Sequence, residues 1–101
     1  MSQIGHQAMN GKVAIVTGGS DGIGLATARL LARRGAAVVI CARREDKLEA
    51  ARADIAQVGT VEAHRLDVSD EAAFTALVED VAARHGRLDM LVNNAMSVHY
   101  A

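Results

Sequence analysis

Eight residues constrain this chain more than any others: Thr17-Gly18-Gly19-Ser20-Asp21-Gly22-Ile23-Gly24, which follow the apolar run Val13-Ala14-Ile15-Val16 and lead into a segment of helical periodicity. A strand, a glycine turn and a helix are expected in that order. Glycines 18, 22 and 24 suit a backbone that turns sharply, approaches a phosphate closely and lets the helix pack against the strand. The start of a helix also presents unpaired N–H groups and the positive end of its dipole, an arrangement worth about 0.3 to 2 kcal/mol towards an anion. A pyrophosphate fits such a turn, although an isolated glycine pattern also occurs in loops that bind nothing.

The rest of the chain alternates in the same manner. Strands are predicted at Lys12 to Thr17, Ala37 to Cys41, Val61 to Leu66 and Leu88 to Asn93, with helices from about Gly22, over Glu45 to Val58, and after Ser69 up to Gly86. The first helix is expected to turn Ile23, Ala26, Thr27, Leu30 and Leu31 inward and to close on Gly35. In the second, Leu48, Ala51, Ile55 and Val58 face the core, Arg44 is a poor cap and Gly59 ends the helix. The third carries Phe74, Leu77, Val78, Val81 and Ala82 inward, with Ser69 as its cap and His85 complementing the dipole at its end. The fold class is therefore α/β: a Rossmann-like parallel sheet, βαβαβαβ, in strand order 3-2-1-4, with two helices on one face and the third on the other. Ligands bind where the strand order reverses, between strands one and four, and both Thr17-Gly18 and Asn93-Asn94 arrive there. Residues Met1 to Asn10 read as a mobile leader ahead of the Asn10-Gly11 turn.

The spacing Thr-Gly, three residues, then Gly-Ile-Gly resembles the short-chain dehydrogenase/reductase family. That resemblance covers Gly11 to Ala95, and residues 96–101 match no feature of the family. It implies hydride transfer between a nicotinamide and a carbonyl or alcohol, with a dinucleotide held by Gly18, Ser20, Gly22, Ile23 and Gly24. Arg43 follows the second strand, where an acid would bind the 2′-hydroxyl of NAD and an arginine the 2′-phosphate of NADP. NADP is thus favoured and NAD remains possible, since Arg43 also reads as an ordinary exposed arginine. Many NADP-preferring members place a base just before the second motif glycine, where this chain has Asp21. Ser20 either donates to the 2′-phosphate or stabilises its own turn. Asp67-Val68 resembles the family's adenine-holding pair; the alternative, in which Asp67 serves the turn beside Ser69, is the less favoured reading. Asn93-Asn94-Ala95 resembles the family's Asn-Asn-Ala-Gly motif, whose asparagines tie strands and whose backbone lies along the cofactor. Position 96 is Met instead of Gly.

The family's catalytic serine and Tyr-x-x-x-Lys pair lie beyond a fourth strand. The single tyrosine here, Tyr100, has no lysine after it to lower its pKa, so no catalytic residue is assigned and the chain is expected not to catalyse alone. The expectation is a dinucleotide-binding part of an oxidoreductase, truncated after strand four. The alternative is a non-catalytic association module: strand four, Leu88 to Asn93, is apolar with nothing after it to pair with, which favours association with a copy of this chain or a complementary polypeptide. A module for another phosphorylated ligand is disfavoured by Arg43, Asp67 and Asn94.

Composition narrows the remaining classes. A net charge of −1 with interspersed acids and bases argues against nucleic acid or a membrane surface, and no apolar run approaches a membrane span. No secretory signal is recognisable, so a cytoplasmic protein is expected. Four histidines and one cysteine show no metal spacing, and Cys41 reads as a buried structural thiol. Twenty alanines and only two aromatic residues predict a thin, aliphatic core.

Overall fold

The computed structural model describes residues 8–93. Four parallel strands, β1 (Val13–Thr17), β2 (Ala37–Ala42), β3 (Thr60–Arg65) and β4 (Met90–Asn93), form one sheet in the order β3-β2-β1-β4. The helices between them are α1 (Gly22–Arg33), α2 (Glu45–Ala56) and α3 (Glu71–His85). The register runs Val13 to Ala37 through Thr17 to Cys41 between β1 and β2, and Ala14 to Met90 through Thr17 to Asn93 between β1 and β4. All four strands thus end at one rim of the sheet, as the predicted order requires.

Period-two alternation divides the core. Ala14, Val16, Val38 and Ile40 meet Ala28, Leu31 and Ala32 of α1 and Leu48, Ala51 and Ile55 of α2. On the other face Val13, Ile15, Val39 and Cys41 meet Leu77 and Val81 of α3, with Phe74 and Val78 packed alongside. Burial pushes the Cys41 thiol up to about 11, the mark of an inert core sulfur.

The rotation of α1 corrects the predicted inner face. Gly24, Ala28, Leu31 and Ala32 are buried, whereas Ile23 is 77% and Leu30 47% exposed. The cause is close approach: a Cβ on Gly24 would be driven into the Gly18 carbonyl, so the helix can seat only on its smallest residues. Apolar spacing alone mistook the larger stripe, about 100° away, for the packing face. Other ends also move. Asp70, not Ser69, caps α3, its carboxylate accepting from the Ala73 N–H at 3.1 Å. The second helix stops at Ala56, and Gly59 serves instead as the residue over which the last turn of α1 passes, its missing Cβ leaving room for the Ala32 carbonyl. Gly35 has φ +103° and closes α1 as expected, with the Ala36 N–H returning to the Leu31 carbonyl. Ala8–Asn10, within the expected leader, lie in a turn where the Met9 N–H donates to the Arg34 carbonyl.

The fourth strand begins at Met90 instead of Leu88 because Asp89 replaces ladder geometry with its side chain. Its Oδ2 accepts from the Val13 N–H at 2.8 Å and its own N–H donates to the Val13 carbonyl at 2.9 Å. Arg87 holds the same carboxylate bidentately at 2.7 and 2.8 Å. At the opposite edge Glu62 of β3 accepts from Arg84 at 2.6 and 3.2 Å and lies 2.7 Å from His64 and 3.4 Å from His85, which ties β3 to the end of α3.

Both carboxyls are held at about 2, Glu62 first by Arg84 and then His64, Asp89 first by Arg87 and then the Val13 N–H. A carboxyl depressed on folding stabilises the native state above its unfolded pKa, and that stabilisation is lost as pH falls through the folded value. The melting temperature is therefore expected to drop between about pH 4.5 and pH 2, beginning near the unfolded values of 4.5 and 3.8. Calorimetry of the double variant Glu62→Gln, Asp89→Asn should give a lower melting temperature at pH 7 and a shallower acid limb. An unchanged limb would contradict this.

Candidate functional site

The site is a groove of about 710 Å³ along the strand-end rim. One wall is Thr17, Gly18, Ser20 and Asp21; the end of β2 adds Cys41 and Ala42 followed by Arg43 and Arg44; Lys47 leans in from α2. Leu66, Asp67, Val68 and Ser69 after β3, Phe74 of α3 and Asn93 of β4 complete it.

Gly18 and Gly22 have φ of +69° and +52°, conformations that L side chains adopt only at a cost of about 1–2 kcal/mol. The Gly18 N–H donates to the Cys41 carbonyl at 2.9 Å, pinning the turn to β2. Asp21 caps α1, its Oδ1 accepting from the Gly22 N–H at 2.9 Å, and the Asp21 carbonyl accepts from the Leu25 N–H. Among the described residues, the N–H groups of Ile23 and Gly24 meet no acceptor. Donors left open at a helix start, above a cradle that a Cβ would fill, fit a phosphate group.

Of the sequence-predicted site residues, Gly18, Ser20, Arg43, Asp67 and Val68 line this groove together. Gly22, Ile23 and Gly24 form the adjoining first turn of α1 without lining it, and Gly24 is buried beneath the turn. Asn94 and Ala95 lie outside the described residues. The neighbouring Asn93 does tie strands: the Thr17 hydroxyl donates to its Oδ1 at 2.9 Å and lies 3.3 Å from the Val92 carbonyl. Thr17, the one buried polar residue of β1, was signalled in the sequence only by a hydroxyl ending an apolar run.

The groove carries three bases and two acids, differently engaged. Arg44 pairs with Asp46 at 3.1 Å and Lys47 with Asp21 at 3.2 Å. The Arg43 guanidinium has no hydrogen bond or ion pair among the described residues, and its charge helps hold the Asp67 carboxyl low. Asp67 accepts both the Ser69 N–H (3.0 Å) and hydroxyl (2.7 Å) on Oδ1, the main cause of its lowered pKa. Its Oδ2 takes no hydrogen bond from the described residues, so serving the turn leaves one oxygen for a further donor. Lys47 and Phe74 are groove residues that sequence reasoning did not assign. Lys47 lies in the first turn of α2, four residues after Arg43, and its ammonium meets Asp21 at the start of α1.

Among the described residues no group of His, Cys, Asp and Glu is placed to hold a metal ion, and no helix is long and apolar enough to cross a membrane.

Comparison with known proteins agrees with this fold. The profile of the family described as short chain dehydrogenase matches residues 12–99. The chain is 48% identical over 94 residues to the cis-4-hydroxycyclohexanecarboxylate dehydrogenase of Sinomonas cyclohexanicum, covering 88% of this chain and 36% of that protein. Among solved structures, the citronellol catabolism dehydrogenase AtuB of Pseudomonas aeruginosa PAO1 superposes with a TM-score of 0.81 at 40% identity, over 86% of this chain and 37% of that one. A metagenomic short-chain oxidoreductase in complex with NADP gives a TM-score of 0.77 at 46% identity, over 83% and 38% of the two chains. The chain spans about a third of the length of the curated relatives it matches.

Proposed function

The chain belongs to the short-chain dehydrogenase family, and from that premise we propose that it is the NADP(H)-binding part of an oxidoreductase that moves hydride between nicotinamide and a carbonyl or alcohol. The observation that carries the choice of NADP is Arg43: a guanidinium unengaged among the described residues, just after β2, lining the groove beyond the glycine turn, where an acid would favour NAD. The solved relative bound to NADP supports the same reading.

In this reading the turn through Gly18, Ser20 and Gly22 lets the pyrophosphate approach the start of α1, where the open N–H groups of Ile23 and Gly24 hold it. Arg43 and Ser20 meet the 2′-phosphate. The second oxygen of Asp67 accepts from the adenine amine while Val68 packs on the ring, and Asn94 and Ala95 are the remaining cofactor-binding positions. The bound nicotinamide supplies the hydride chemistry. The groove residues bind and orient it, and the chain alone is expected to bind the cofactor without turnover. Titration of the purified chain with NADPH and NADH, followed by nicotinamide fluorescence, is expected to give saturable binding at least tenfold tighter for NADPH. Equal affinities, or no binding by a folded chain, would overturn the assignment.

A second reading rests on β4. Among the described residues it pairs only with β1, and its Leu91 is 49% exposed. An open apolar edge of this kind favours association through β4. Light scattering at micromolar concentration is expected to show species larger than 10.6 kDa, and a strictly monomeric chain would count against it.

A further inference from the structure

Asp21 presents a difficulty for a groove that is to take a phosphorylated ribose. Its carboxylate stands on the same rim as Ser20 and Arg43, its pKa is lowered, first by the hydrogen bond from Lys47, and it remains ionised at neutral pH. A 2′-phosphate carries close to two negative charges, so an isolated aspartate there would select against the cofactor that Arg43 favours.

The carboxylate is not isolated. Lys47 reaches across from the first turn of α2 and places its ammonium 3.2 Å from Oδ2, while Oδ1 is taken by the Gly22 N–H. The lysine lines the groove with Arg43 and retains 46% of its side-chain exposure. An ammonium has three donors, and one suffices for Asp21. Its stem has four rotatable carbons, so the remaining donors can turn towards an anion without the helix moving. Asp46 and Glu45, the other acids at the start of α2, do not claim the ammonium: the Asp46 carboxylate is engaged by Arg44 and by the Lys47 backbone N–H, and Lys47 Nζ bonds Asp21.

We infer that Lys47 is a specificity-determining residue of the cofactor groove: it neutralises Asp21 and, together with Arg43, presents its charge to the 2′-phosphate. Loss of the lysine would expose the phosphate to an uncompensated carboxylate while leaving a 2′-hydroxyl nearly indifferent. This inference rests on the NADP reading above, and its test separates the two.

The measurement is the dissociation constant for NADPH and for NADH, by nicotinamide fluorescence, in the wild-type chain, Lys47→Met, Lys47→Arg, Asp21→Asn and Arg43→Ala, each checked for an unchanged thermal transition. Asparagine caps a helix as well as aspartate, so Asp21→Asn keeps α1 intact. Lys47→Met is expected to weaken NADPH about tenfold and NADH less than twofold, Lys47→Arg to restore NADPH binding, and Asp21→Asn to tighten NADPH. If Lys47→Met weakens both cofactors equally or neither, the lysine merely braces α2 against α1 and the inference is overturned. If Arg43→Ala abolishes the preference while Lys47→Met keeps it, only the role of Lys47 falls. If the wild-type chain does not prefer NADPH, the NADP reading falls and takes this one with it.

Discussion

Gly24→Ala is expected to destabilise the chain by about 2 kcal/mol or more, and to weaken dinucleotide binding roughly thirtyfold or beyond. In an ordinary helix the same change would stabilise by about 0.5–1 kcal/mol, since alanine loses less backbone entropy than glycine. Here the added Cβ meets the carbonyl oxygen and carbon of Gly18 and the Cα of Gly19. These are backbone atoms held by the bond from the Gly18 N–H to the Cys41 carbonyl, so they cannot rotate away as a side chain would. The helix must lift, and its open donors at Ile23 and Gly24 lift with it. Gly22→Ala is the informative control: a Cβ there meets nothing within 4 Å and only the +52° φ resists it, so about 1–2 kcal/mol is lost with the helix left in place. Thermal melts and NADPH titrations of both variants separate crowding from conformational strain. A Gly24→Ala chain that melts with or above the wild type would contradict the close approach of α1 to the turn.

Arg43→Ala is expected to lower NADPH affinity roughly ten- to hundredfold while leaving NADH within about twofold. The figure follows from the roughly 1.5–3 kcal/mol of a hydrogen bond to a charged group. No loss of stability accompanies it, because the guanidinium is exposed and has no hydrogen-bonded or ion-paired partner among the described residues to be left behind. The effect should shrink as salt rises, since an exposed pair of this kind is screened within about 10 Å at 0.1 M. An Arg43→Ala chain that retains its preference for NADPH would show that the 2′-phosphate is read elsewhere.

The strand order and the two-faced core were legible because each strand is a short apolar run and each helix has periodic spacing, signals that agree with one another. What misled was local size. Ile23 and Leu30 carry the strongest hydrophobic signal in α1, yet Gly24 sets the rotation, and steric room between two backbones leaves no trace in hydropathy. Ser69 and Asp70 are both good caps; the Asp70 carboxylate takes the Ala73 N–H, while the Ser69 hydroxyl and N–H both donate to Asp67. Asp89 shortened β4 by using a side chain where a strand would use its backbone. In the groove, residues at strand ends were placed from sequence because their positions follow from topology. The pairing of Lys47 with Asp21 was not, since 26 residues and a helix-helix contact separate them.

The central claim is that the turn at Gly18–Gly24 cradles a dinucleotide and does not merely connect β1 to α1. Amide shifts of the ¹⁵N-labelled chain during NADPH addition test it most directly. Saturable shifts are expected at Gly18 to Gly24, at Arg43 and at Asp67-Val68, with those at Arg43 much reduced when NADH is used instead. A well-dispersed, folded spectrum in which these amides stay still, or in which only β4 responds, would contradict the claim and leave the glycine turn as architecture.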